Sequence, residues 1–189
     1  ILAMEYALKY QDNLKGLIVS NMVASVPEYN KYAQNVLGPQ LPEDVLKEIK
    51  EIEANKDYTN PRYEELLMKH FYTEHILRKP LDKWPKSVHL LFEHLNPGIY
   101  TYMQGPSEFV PGGILKDWSV WDRLHEIETP TLMVGAEYDS MNPDEMKEMA
   151  TLVQNGESLH CPNGSHLALW DDQEVFMKGV IGFVHRLFK

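Results

Sequence analysis

The sequence predicts an α/β fold, a parallel sheet interrupted by an inserted helical layer, and three observations predict it. Residues 16–21 and 131–136 are short runs apolar on both faces, as parallel strands covered on both sides must be. Residues 157–161 offer a third, shorter strand. Between the first two runs the only periodicity is helical.

In chain order, residues 1–10 mix Ala, Leu, Met and Tyr with only Glu5 and Lys9 charged, which predicts a helix buried on most sides. Asp12-Asn13 breaks it before the first strand. Residues 1–22 are therefore assigned to the sheet-bearing core, 23–118 to a helical insert and 119–189 to the rest of the core. In the insert, Pro42 precedes a helix striped by Val45, Leu46, Ile49 and Ile52. Asn60-Pro61 starts a second, with Tyr63, Leu66, Leu67 and Phe71 on one face. Pro85 opens a third, carrying Val88, Leu91, Phe92 and Leu95 and stopped by Asn96-Pro97-Gly98. The insert is rich in aromatics, because a thin helical layer needs large side chains to bury enough area. After the strand at 131–136, residues 144–154 form an amphipathic helix with Asp144 and Glu145 in its first turn. A closing helix is expected over 171–188, with Val175, Phe176, Val180, Phe183 and Leu187 as its apolar face.

Composition narrows the function classes. The 189 residues carry 18 Lys plus Arg against 28 Asp plus Glu, a formal net charge of -10. That balance repels phosphate, so neither nucleic acid nor an anionic membrane is an expected partner. No apolar run approaches the roughly 18–20 residues that span a bilayer. One cysteine, Cys161, has no internal partner, which fits a cytoplasmic location. No metal or other cofactor is expected. His70 and His75, like His89 and His94, are five apart, about 140° around a helix, and no Cys or carboxylate completes a ligand set.

Two loops stand out, each directly after a strand: Gly135-Ala136-Glu137-Tyr138-Asp139-Ser140 and Cys161-Pro162-Asn163-Gly164-Ser165-His166. Reactive groups gather at the carboxyl ends of parallel strands. Asp139 and His166 are therefore expected on one edge, the carboxylate accepting a hydrogen bond from the imidazole and fixing its tautomer for general-base work. An Asp before a helix also serves as an N-cap, and a loop His is often only exposed. The order strand, helical insert, strand–Asp, helix, strand–His, helix is that of the second half of an α/β-hydrolase, where nucleophile, acid and histidine follow in that sequence.

The segments Gly105-Pro106-Ser107-Glu108-Phe109, Lys116-Asp117-Trp118, Pro130-Thr131-Leu132, Gly135-Ala136-Glu137-Tyr138-Asp139 and Gly164-Ser165-His166 resemble the proline iminopeptidases (prolyl aminopeptidases) of the α/β-hydrolase fold. Residues 1–7 look like the helix after that family's nucleophile elbow. The resemblance implies a serine peptidase that releases N-terminal proline, or a similar residue, from short peptides. In it, Asp139 and His166 would be catalytic, Glu108 would hold the substrate's free α-amino group, and Tyr102 and Phe109 would wall the side-chain pocket. No serine has a G-x-S-x-G context: Ser107 lies between Pro and Glu, Ser140 follows the acid and Ser165 precedes the histidine. Cys161 ends a strand, where buried thiols are inert. By the resemblance the elbow would end just before Ile1, so the chain is expected to be the C-terminal part of a partial α/β-hydrolase fold, inactive without the N-terminal part of the same enzyme. Ser140 stands where these enzymes often carry a Glu that helps hold the amine. Two other readings are an esterase or amidase acting on a small ester or amide, and a non-catalytic fragment or binding module.

Overall fold

A computed structural model of the chain describes residues 1–107 and 109–189. Helix α1 (Leu2–Tyr10) leads through a short 3-10 turn into strand β1 (Leu17–Ser20). The helical layer follows with α2 (Val26–Tyr32), α3 (Glu43–Ala54), α4 (Pro61–Leu67), the single turn α5 (Thr73–His75), α6 (Lys86–Glu93) and α7 (Pro97–Met103). The chain then returns to strand β2 (Thr131–Ala136), helix α8 (Pro143–Leu152), strand β3 (Gly156–Cys161), and helices α9 (Ala168–Asp171) and α10 (Gln173–Leu187).

Among the described residues the sheet has the order β1-β2-β3, every pair parallel, with Leu17 opposite Thr131 and Thr131 opposite Gly156. All six residues of β2 are buried, as the central position requires. Its side chains divide by the period of two: Met133 packs with α1 and α8, whereas Leu132, Val134 and Ala136 join Phe183 of α10 on the other face. The expectation of a helix buried on most sides fails for α1. Met4 and Ala7 are buried, but Leu2, Tyr6 and Tyr10 are exposed, because among the described residues only the sheet face of α1 is packed. The closing helix is found as α10. Asp172, at φ -130, separates it from the short α9, and its carboxylate accepts from the Asn163 N–H.

Some helices start where a side-chain oxygen replaces a missing partner. Asn60, Asn96 and Asn142 each accept from an N–H in the first turn, with a proline following at once. The helical layer has its own core, with Leu37, Ile49, Leu66 and Phe71 essentially fully buried. Its two connections to the sheet run side by side, joined by an antiparallel bridge between Ser25 and Ser119. Two turns widen to π geometry, at Ala33–Leu37 and Met68–Tyr72, which no periodicity announces. Phe71 meets the Phe109 ring edge-on at 5.2 Å. Phe71→Ala should lower the unfolding free energy by about 3–5 kcal/mol, read as a lower denaturant midpoint; an unchanged midpoint would mean that this core does not contribute to the cooperative unit.

Candidate active site

The carboxyl ends of all three strands converge on one carboxylate. Past β2, the Tyr138 N–H donates to the Gly164 carbonyl at 3.0 Å, tying the acid loop to the histidine loop. Gly164 makes this approach possible: a Cβ there would stand 2.8 Å from that of Ala168 and 3.3 Å from that of Ala136. Asp139 is 1% exposed, and its Oδ1 lies 2.9 Å from Nδ1 of His166. A carboxylate only accepts, so Nδ1 carries the proton and the neutral ring has its lone pair on Nε2. Oδ1 also accepts from the Met141 N–H at 3.0 Å. Oδ2 accepts from Nδ2 of Asn21, just past β1, at 2.6 Å.

The histidine loop is clamped from the helical layer. The His166 and Leu167 N–H groups donate to the His75 and Ile76 carbonyls, both at 2.9 Å. Asp171 accepts from the Ser165 and Arg78 N–H groups and from the Ser165 hydroxyl. His75 itself is buried and bonds the Tyr138 carbonyl through Nδ1 at 3.0 Å; burial holds its pKa below the usual histidine value. It is a structural histidine beside the acid loop. Among the described residues, no group of three or more His, Cys, Asp or Glu side chains suits a metal ion.

His166 borders a cavity of about 270 Å³ between the strand ends and the helical layer. Ile1, Asn21 and Met141 line it from the sheet side, and Tyr29, Gln104 and Leu115 from above. Tyr102 and Phe109 do not line this cavity. Tyr102 is 65% exposed, and Phe109 is buried against Phe71, where the hydrophobic layer retains it. Glu108 lies outside the described residues. The expected pair Asp139–His166 is thus brought together, and Tyr29 lines the cavity beside it. The sequence does not single out Asn21 as a site residue; its one signal is a polar side chain just past a strand's carboxyl end.

The hydroxyls and the thiol have other duties. Ser165 is bound to Asp171 and the Ile76 carbonyl, and Ser107 pairs with the Tyr63 hydroxyl while accepting the Phe109 and Val110 N–H groups. Ser140 is fully buried with its hydroxyl 3.4 Å from Asp139 Oδ1. Burial and the nearby Asp172 and Asp171 push the Cys161 thiol up to about 12, so little thiolate forms at neutral pH.

No protein-family model matches the chain. Proline iminopeptidases from Flavobacterium johnsoniae and Elizabethkingia meningoseptica are each 58% identical to it, over 98% and 97% of this chain and 62% and 61% of their own lengths. The chain therefore spans under two thirds of these relatives. Among solved structures, VinJ superposes with a TM-score of 0.91 at 30% identity, and the proline iminopeptidase of Mycobacterium smegmatis with 0.80 at 29%. Each superposition covers 98% of this chain and 62% of the other.

Proposed function

The chain is homologous to a stretch of the proline iminopeptidases, and from that premise we propose that it supplies the acid, the base and the amine-binding carboxylate of a serine aminopeptidase acting on short peptides with N-terminal proline. The observation that carries this reading is the 2.9 Å contact between His166 Nδ1 and the buried Asp139 carboxylate beside a cavity under the helical layer. In the proposed reaction, Nε2 of His166 takes the proton of a serine hydroxyl as that oxygen attacks the carbonyl of the N-terminal residue. The imidazolium, supported by Asp139, then protonates the departing amine, leaving an acyl-enzyme that water hydrolyses by the same route. The nucleophile and the oxyanion donors are assigned to a part of the enzyme that this chain does not span.

Glu108 is proposed to hold the substrate's ammonium group, on the strength of the Gly105–Phe109 sequence alone. The test is Glu108→Gln in the full-length enzyme. Loss of one charge-assisted bond of about 1.5–3 kcal/mol should lower kcat/KM for free-amine prolyl substrates roughly ten- to a hundredfold. Small acyl esters, which lack the amine, should be spared. Because Ser140 stands where a second carboxylate is common in this family, the loss belongs at the upper end of that range. Equal losses on both substrate classes would return the assignment to an esterase or amidase. Among the described residues no helix is long and apolar enough to cross a membrane. A reducing cytoplasm is our proposed location, from the single buried thiol.

A further inference from the structure

We infer that Asn21 is a positioning residue for the acid, holding the Asp139 carboxylate at the angle that presents Oδ1 to His166. This rests on the proposed roles of Asp139 and His166 and adds a residue to them. Asn21 joins three elements: it follows β1 directly, donates at 2.6 Å to Asp139 Oδ2 on the acid loop, and approaches the Ser165 carbonyl of the histidine loop at 3.3 Å. The two carboxylate oxygens have separate work, with Oδ1 taking His166 and the Met141 N–H while Oδ2 takes Asn21. Without a donor on Oδ2, a buried carboxylate gains by turning toward another, and its grip on the imidazole loosens.

The amide is held in one orientation. Its nitrogen faces two acceptors, Asp139 Oδ2 and the Ser165 carbonyl, while its oxygen accepts from the Ser20 hydroxyl at 2.7 Å. The backbone is committed as well. Asn21 has φ +53, left-handed for a residue with a side chain, and its N–H donates to the Val134 carbonyl at 2.8 Å. Asn tolerates that conformation better than most residues, and such positions persist where surrounding bonds hold them. Asn21 is 6% exposed. A residue that served only to close the turn would need neither this amide orientation nor the bond to Oδ2.

The experiment uses the full-length enzyme and Asn21→Gly, which keeps the left-handed backbone and deletes the amide. On a prolyl anilide, kcat should fall about 10- to 100-fold with KM within about twofold, as expected for a lost bond to a charged partner felt in the transition state. In an Asp139→Asn background the same change should cost almost nothing further, because Asn21 acts through Asp139. The low-field proton signal of His166 Nδ1–H should shift or broaden in Asn21→Gly. Should that variant fold poorly, Asn21→Asp keeps the shape, replaces the N–H and must displace the same signal. Losses that multiply in the double variant, or an unmoved His166 proton signal, would overturn the inference. If Asp139→Asn retains full activity while Asn21→Gly still moves the His166 signal, the catalytic reading of Asp139 fails and the positioning stands.

Discussion

Incubated alone with prolyl anilide, these 189 residues should release no product above background. On the proposed roles, His166 is the base that a nucleophilic serine must face. Ser165, Ser140 and Ser107 are each engaged in structural bonds, and the Ser20 hydroxyl, on the cavity wall, is turned onto Asn21. None sits on a strand-to-helix elbow, which is what exposes a nucleophile to its base. Removing the nucleophile from a serine hydrolase costs roughly 10⁴–10⁶ in rate, since an Asp–His pair has no covalent route of its own. A fluorophosphonate should therefore fail to label the isolated chain, yet label the full-length enzyme on a residue outside it. Stoichiometric labelling of this polypeptide would show that the nucleophile lies within it, and Ser20 would be the first residue to replace.

Asp139→Asn in the full-length enzyme should reduce kcat by about 10³–10⁴-fold while KM changes little, the usual consequence of losing tautomer control over a catalytic histidine. The surroundings of Asp139 argue for the larger part of that range. Both carboxylate oxygens face N–H donors: His166 and Met141 on one side, Asn21 on the other. An asparagine brings one NH₂ group of its own, which must meet a donor whichever way it turns. Asn21 could flip to accept it, with the Ser20 hydroxyl then accepting from its NH₂, only by losing the Ser165 carbonyl. Either the amide opposes Asn21 or it forces the imidazole into the tautomer with its proton on Nε2. Steady-state kinetics across pH 6–9 would measure the loss. A variant as fast as the parent would move the acid elsewhere, and Asp171 or Asp122 would be next; Asp171 is already saturated by Ser165 and Arg78, and Asp122 is exposed.

The amino-acid sequence by itself determined the local grammar. Gly16 to Asn21 and Thr131 to Ala136 were legible as strands because a parallel strand covered on both faces carries apolar side chains at consecutive positions, a signature that the largely unburied Glu157 to Cys161 lacks. Asn60-Pro61 marks a helix start because capping is settled within one turn, whereas Asn96-Pro97-Gly98, expected only to stop a helix, also caps the start of α7. Asp139 and His166 were visible as candidates because each follows a strand end by a few residues. What only the tertiary structure decided involves partners far apart along the chain. Asn21 meets Asp139 across 118 positions, the histidine loop is held by carbonyls of residues 75 and 76, and Tyr29 lines the cavity while Tyr102 and Phe109 do not. α1 was expected to be covered on most sides, but the packing of one face only follows from which elements reach it, and composition carries no record of that. The physical reason is common to all of these. Propensity and capping act over a single turn or pleat, whereas the orientation of a buried amide or aromatic ring is set by whichever donors and surfaces the folded chain brings beside it.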